Sequence, residues 1–297
     1  MPNHLSLAVA GGRKTQGLVD HCKALPSDRR VLVVTFTQTN QQELIHRLRA
    51  QAGDLHKTEV LGWYTFLLRH FAKPFLPIKF QGERVGGFNF EGRPSLYAKG
   101  RPNSRIDVRM VGDVRQAVLS TNPRGQKNKQ YGYAGALEWF QEREKGGLLS
   151  IDYATITYRC RTEIASFSDT IFDASWGFPG TTSENHVVTD HDGVFLVHSK
   201  HVDQYVERYR PQCLRSTVAS GKEFTLDFMN FKVSKGATFE RVLIVPTAPI
   251  KAFIQNETCL EATPAAAFYV AVTRAKQSLA IVVDKPGKSK LPVWVPF

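Results

Sequence analysis

Leu5-Ser6-Leu7-Ala8-Val9-Ala10-Gly11-Gly12-Arg13-Lys14-Thr15 is the stretch from which the rest of the chain can be read. A short apolar run predicts a strand, two glycines predict a turn, and Gly17 to Leu25 predicts a helix stopped by Pro26. A glycine-rich turn between strand and helix points backbone N–H groups and the positive end of the helix dipole at an anion. A lysine and a hydroxyl residue that close the turn add an ammonium and a metal-binding oxygen, the combination that holds nucleotide phosphates. On this reading Ala10, Gly11, Gly12, Arg13, Lys14 and Thr15 form the candidate nucleotide site, with ATP as cofactor. Lys14 reaches the β- and γ-phosphates and the Thr15 hydroxyl takes Mg²⁺. The residue before such a lysine is usually glycine; Arg13 puts a side chain at the closest approach to the phosphates. An ordinary glycine-rich strand-to-helix turn is the competing reading.

Working outward, Val31-Leu32-Val33-Val34 is a β-branched run of the kind buried on both faces of a parallel sheet. Asn40 to Gln51 carries Leu44, Ile45 and Leu48 at helical spacing, with Asn40 as the expected N-cap, and Tyr64 to Phe71 predicts a further helix. Glycines and Pro94 break every period from Pro74 to Pro102, a loop. A strand is expected at Ile106 to Val111 and a polar linker around Asn122 to Lys129. The second half repeats the rhythm: strands at Thr155-Ile156-Thr157, Val194 to Val197, Leu226 to Phe231, Arg241 to Val245 and Leu279 to Val283, with helices at Arg161 to Phe172, near Val202 to Tyr209, and at Pro264 to Ala275. Alternating strands and helices make the fold class α/β with parallel sheets. The expected division is 1–121, a linker at 122–130, and 131–297.

With 39 Lys and Arg against 27 Asp and Glu, the formal charge of +12 favours a polyanionic partner, nucleic acid first. Nine of the basic residues fall between Arg93 and Lys129, Arg109 and Arg115 among them, a run that could follow a phosphate backbone. No apolar run approaches the roughly 20 residues of a membrane span. Met1-Pro2-Asn3-His4 lacks a leader pattern, so a cytoplasmic protein is expected. Cys22, Cys160, Cys213 and Cys259 form no closely spaced pair and are expected as reduced core thiols. His186, His191, His198 and His201 beside Asp190 and Asp192 raise a metal centre as a weak alternative, because strand alternation over Val194 to Val197 separates them.

Six segments then fall in a recognisable order. Val31 to Arg47 (VLVVTFTQTNQQELIHR) and Trp63-Tyr64-Thr65-Phe66-Leu67 resemble motifs Ia and Ib of UvrD/Rep-type superfamily 1 DNA helicases. Val111-Gly112-Asp113-Val114-Arg115-Gln116 resembles motif III, and Ile156-Thr157-Tyr158-Arg159-Cys160-Arg161 motif IV. Val233 to Val242 resembles motif V, and Tyr269-Val270-Ala271-Val272-Thr273-Arg274-Ala275-Lys276 is similar to motif VI almost letter for letter. The resemblance spans residues 5 to 284. It implies two RecA-like P-loop domains with a nucleotide cleft between them, and an ATP-dependent helicase or translocase on single-stranded DNA or DNA ends.

Residue by residue, the resemblance assigns the chemistry to Gln116, Arg159, Arg274 and Asp113: the arginines neutralise charge on the γ-phosphate and Gln116 senses it or orients water. Gly236 and Thr238 join the nucleotide site, and Thr35, Phe36, Thr37, Trp63, Tyr64 and Lys235 are assigned to DNA, the aromatics as faces for unstacked bases. Surface ion pairs for the arginines and core packing for the aromatics are the plainer alternatives. The chain also departs from the pattern. No apolar strand followed by an Asp-Glu pair, motif II, lies between Phe71 and Ile106. Asp113 is the nearest substitute, and either a segment is lost near Gly100 to Arg105 or the chain is a non-hydrolysing regulatory relative, with a partner protein supplying what is missing. Few residues precede Leu5, leaving no adenine-reading glutamine segment, and Thr238 stands where the family commonly has glutamate.

Overall fold

β1 (Asn3–Ala8) runs into a turn over residues 9–13, and α1 (Lys14–Ala24) begins at the lysine. β2 (Val31–Thr35), α2 (Gln38–Ala52), β3 (Thr58–Gly62), α3 (Trp63–Leu67) and β4 (Arg109–Gly112) follow. Next come α4 (Tyr133–Lys145), β5 (Leu149–Ala154), β6 (Ile156–Thr157), α5 (Thr162–Asp169), β7 (Thr182–Ser183) and β8 (Gly193–Val197). The chain continues through α6 (Val202–Tyr209), β9 (Gln212–Arg215), β10 (Phe228–Asn230) and β11 (Phe239–Val245). It ends with α7 (Ala248–Asn256), α8 (Ala262–Val272), β12 (Ala275–Val282) and β13 (Val293–Trp294). The computed structural model describes residues 3–26, 28–52, 58–72, 108–116 and 133–296. Every strand pairing among them is parallel, as the alternation predicts. No described helix is long and apolar enough to cross a membrane.

Contacts divide the chain into two units, one of Met1–Arg13, Val108–Thr121 and Gln126–Phe297, the other of Lys14–Asp107 and Asn122–Gly125. The larger unit holds a sheet in the order β4-β1-β5 and a six-stranded sheet in the order β10-β9-β11-β12-β8-β13. β5 pairs with β1 from Asn3 opposite Leu149 to Ala8 opposite Ala154. The sheet that carries the glycine turn therefore extends beyond the linker expected at 122–130. Leu149 to Ala154 alternates side chains with no glycine or proline before Thr155, so in sequence it merges with the next strand.

The six-stranded sheet is apolar on both faces because its neighbours alternate in step. Val242 and Ile244 of β11, Leu196 of β8, Leu214 of β9 and Leu279 and Ile281 of β12 join one core with Ile164 of α5 and Phe268 of α8. Leu243, Val245, Val197, Cys213, Ala280 and Val282 join the other with Val202 and Tyr205 of α6. α8 is buried on nearly all sides, as an all-apolar helix must be. In the smaller unit β2 and β3 pair in parallel, and Val19, Val33, Leu44, Leu48 and Val60 form the core. α2 begins two residues ahead of the expected cap: the Thr37 hydroxyl accepts from the Asn40 N–H, so Thr37, not Asn40, caps it.

Candidate functional site

The turn after β1 needs glycine for two reasons. Gly11 has φ +77°, and a Cβ there would lie 2.5 Å from Thr157 Oγ1 and 2.7 Å from Arg159 Cβ. The turn is tied down by a bond from the Tyr158 N–H to Gly11 O at 3.2 Å and one from the Ala10 N–H to the buried Tyr269 hydroxyl at 3.2 Å. Gly12 N–H closes the turn on Val9 O at 3.0 Å. Arg13 takes φ +52°, the left-handed region that glycine enters without strain. Its guanidinium leaves the turn and lies 3.7 Å from the centroid of the exposed Tyr158 ring, a cation–π contact. The backbone thus has the form that the usual glycine would give, with the side chain laid aside. Lys14 and Thr15 are the first two residues of α1.

The larger unit also holds the residues of motifs III to VI. The turn between α8 and β12 carries Arg274, 2% exposed, whose guanidinium donates to Val270 O at 2.8 Å, Ala237 O at 3.2 Å and the Thr273 hydroxyl at 3.2 Å. Arg159, after β6, donates to Thr273 O at 3.0 Å, so the two guanidinium groups share one residue. Burial, and then the neighbouring Arg159, bring the Arg274 pKa down to about 10, and burial lowers that of Arg159. Among the described residues neither arginine has a carboxylate within ion-pair distance. Asp113 acts on Arg274 only from beyond ion-pair distance, so much of the cost of burying that charge stands, and an arriving anion would lower it.

Asp113 follows β4 and is 4% exposed in its side chain. One of its oxygens accepts from Gln116 Nε2 at 2.7 Å, the other from the Arg115 N–H at 3.1 Å and Nε at 3.4 Å. Lys235, which the sequence assigns to DNA, donates to Gln116 O at 3.0 Å, and burial lowers its pKa. Gly236 turns the chain with φ +98°, while Thr238 is exposed. The turn thus packs against Arg159, which shares Thr273 with Arg274, while Asp113, Gln116 and Lys235 form a second bonded group in the same unit.

Two contributors were not singled out in the sequence. The Tyr269 hydroxyl holds the glycine turn, and its position one helical turn before Thr273 was visible in motif VI. Arg115, counted there with the basic run, is buried: it bridges Asp113 and Asp169 of α5 and lies 4.9 Å from the Tyr269 ring centroid. It belongs to no phosphate-tracking surface. Most of that run, and the interval in which motif II is missing, lie outside the described residues.

Two solved structures share this arrangement of elements. The arterivirus nonstructural protein 10 helicase aligns with a TM-score of 0.54 at 16% identity over 95% of this chain and 59% of that one. The same protein in complex with DNA aligns with a TM-score of 0.54 at 16% identity over 95% of this chain and 61% of that one. The chain has a helicase fold. It spans about three fifths of the length of those helicase structures. No protein-family model and no curated protein matches the sequence.

In the smaller unit of this helicase-fold chain, Thr35 ends β2 opposite Gly62, the end of β3, so Phe36 and Trp63 emerge at the same end of the pair. Phe36 is 43% and Trp63 42% exposed. The Phe36 and Tyr64 rings stand 6.0 Å apart and Trp63 and Phe66 5.8 Å, an aromatic cluster partly open to solvent rather than a closed core. Thr37 is engaged as the α2 cap.

The histidines do not form a metal centre: among the described residues no three His, Cys, Asp or Glu side chains converge. His191 is sandwiched between Phe195 and Tyr209, 4.2 and 3.8 Å between centroids, and bonds the Tyr205 hydroxyl at 2.8 Å. Burial, reinforced by Arg241, pushes its pKa down to about 4. The unfolded chain therefore binds the extra proton below about pH 6.5, and the fold loses stability as pH falls from there through about 4. We expect a loss on the order of 2–3 kcal/mol over that window, measured by denaturant melts, with His191→Gln flattening the dependence. Of the cysteines, Cys160 and Cys213 are buried as expected, Cys22 is half-buried, and Cys259 is exposed beside Asp173.

Proposed function

We propose that the chain binds a nucleoside triphosphate, ATP in the first instance, at the turn 10–15 with Gln116, Arg159 and Arg274, and single-stranded DNA on the Phe36, Trp63 and Tyr64 cluster. It acts as a superfamily 1 helicase-type protein of the UvrD/Rep kind, built as two RecA-like domains. The observation that supports the reading is a half-buried guanidinium, Arg159, packed against a glycine turn that leads directly into Lys14 and sharing Thr273 with the buried Arg274, neither with a described carboxylate in ion-pair range. That arrangement has its charge arranged for a phosphate. The helicase fold and the aromatic cluster support the DNA half of the proposal.

Hydrolysis is slow on this reading. No described carboxylate is placed to polarise water, because Asp113 is occupied by Gln116 and Arg115. Losing such a group commonly costs roughly 10² to 10⁴ in rate. A non-hydrolysing nucleotide- and DNA-binding regulatory subunit is the second reading, favoured by that same occupied carboxylate.

Calorimetry tests the nucleotide half. Lys14→Ala is expected to weaken ATP binding by at least roughly tenfold, the worth of one charge-assisted phosphate contact; equal affinity in parent and variant contradicts the P-loop reading. Anisotropy titrations test the DNA half. Trp63→Ala is expected to weaken single-stranded DNA binding roughly 5- to 100-fold, the worth of one stacked base, and parent affinity to fall steeply with salt. Binding indifferent to Trp63 and to salt contradicts it.

A further inference from the structure

A cleft of about 470 Å³ opens on the larger unit and shares none of the residues assigned above to nucleotide or DNA. That volume lies in the range of roughly 300–1,000 Å³ in which proteins hold small organic ligands. Its floor is apolar. Ile171, Phe172 and Ile254 are buried in it, and the Phe167 and Phe253 rings, 6.5 Å apart between centroids, are only partly buried. One wall, Ser289 to Leu291, follows a segment fastened to the end of α7: Gln255 Nε2 donates to Lys285 O at 2.6 Å, and the Lys288 N–H donates to Gln255 O at 2.7 Å. Gly287, at φ +61°, permits the close approach, since a Cβ there would lie 2.8 Å from Gln255 Cα. The cleft is therefore held in shape before a ligand arrives.

Charge sits at its rim. One oxygen of the exposed Asp173 accepts from the Ser175 N–H at 2.8 Å and the other from the Cys259 thiol at 3.4 Å. The Ser175 hydroxyl and N–H, and then the thiol, hold the Asp173 carboxyl below its ordinary range, so it is ionised at neutral pH. Glu257, exposed just past α7, is the second carboxylate. Lys290 is the one base among the described lining residues, and no ion pair among the described residues joins it to either acid. On a chain of formal charge +12, an acidic mouth opposes the phosphate backbone that the rest of the surface attracts. A cation with an apolar body satisfies both parts: the floor takes the body, while the ring faces and the two carboxylates favour the positive end.

We propose that this cleft binds a small organic amine, an aromatic or branched hydrocarbon body carrying one protonated nitrogen, with the body on the Phe167 and Phe253 rings and the ammonium against Asp173 and Glu257. The site is independent of the nucleotide and DNA readings above, since it uses different residues and the opposite sign of charge.

The test is a fluorescence titration of the full chain with dansylcadaverine, an aromatic body on an amine, and with dansylglycine, the same body on a carboxylate. It is run on the parent, on Ala174→Trp, which fills the mouth from an exposed rim position, and on Asp173→Asn combined with Glu257→Gln, with melting curves to confirm that each folds. Dansylcadaverine is expected to brighten on binding and to bind the parent at least roughly fivefold more tightly than dansylglycine. Its binding is expected to be lost in Ala174→Trp and to weaken roughly 2- to 30-fold in the double variant, the worth of two exposed ion pairs. No binding of dansylcadaverine by the parent, equal binding of the two probes, or a folded Ala174→Trp that binds like the parent overturns the proposal. So does a parent that sediments as a dimer while Ala174→Trp sediments as a monomer, a result that gives the cleft to a second copy of the chain.

Discussion

Arg274→Met is expected to bind nucleoside triphosphate roughly 30- to 150-fold more weakly than the parent, from about 2–3 kcal/mol of charge-assisted contact, and to melt no lower. The two halves of that result have one cause. Arg274 is buried in the turn between α8 and β12 with backbone oxygens and a hydroxyl for partners and no described counter-ion. Desolvating such a charge opposes folding, and a methionine of similar length fills the same space without that penalty. Of the three acceptors it leaves behind, Val270 O still accepts from the Thr273 hydroxyl at 3.3 Å and that hydroxyl still bonds Tyr269 O at 2.7 Å, which leaves Ala237 O to find water. A residue kept for stability alone would show the opposite pattern, a lower melting temperature with unchanged affinity. Calorimetry and thermal melts on the same preparation separate the two.

Gly11→Ala is expected to cost both stability and nucleotide binding. At φ +77° a Cβ carries about 1–2 kcal/mol of backbone strain. The new carbon also has to displace Thr157 Oγ1 and Arg159 Cβ, which it would otherwise meet at 2.5 and 2.7 Å. Overpacking of this kind adds about 1–3 kcal/mol, so a fall of several degrees in melting temperature is expected. Because the atom pushed aside belongs to Arg159, the guanidinium proposed to meet the phosphates moves with it. Thr157→Ala in the Gly11→Ala background removes the nearest clash and is expected to restore part of the stability. Unchanged melting in Gly11→Ala contradicts the packing of the turn against β6 and Arg159.

The α/β class and the strands of the six-stranded sheet were legible because residues such as Val242 to Val245 are apolar on consecutive positions, a pattern that only a strand covered on both faces sustains. The turn was legible as two glycines followed by Lys14-Thr15. Membership of β5 in the first sheet was not, because strand pairing is a long-range property and Asp152 and Tyr153 carry no sign of which neighbour they face. At the site, Arg159, Arg274, Gln116 and Asp113 were named from sequence and stand together in the larger unit. The role of Arg115 could not be read, since its value comes from Asp169, 54 residues away. The bond from Lys235 to Gln116 O could not be read either, since a basic residue in a glycine turn carries no sign of a carbonyl 119 residues away.

Hydrogen–deuterium exchange on the full chain with and without a non-hydrolysable ATP analogue, in EDTA and in Mg²⁺, tests the central claim most directly. Slower exchange is predicted in peptides covering residues 9–16, 157–160, 234–238 and 270–275, with the protection over 157–160 and 270–275 lost in Arg274→Met. Saturating analogue that leaves all four segments unchanged, or that protects the chain only elsewhere, would contradict the proposal that a phosphate tail sits among the glycine turn, Arg159 and Arg274.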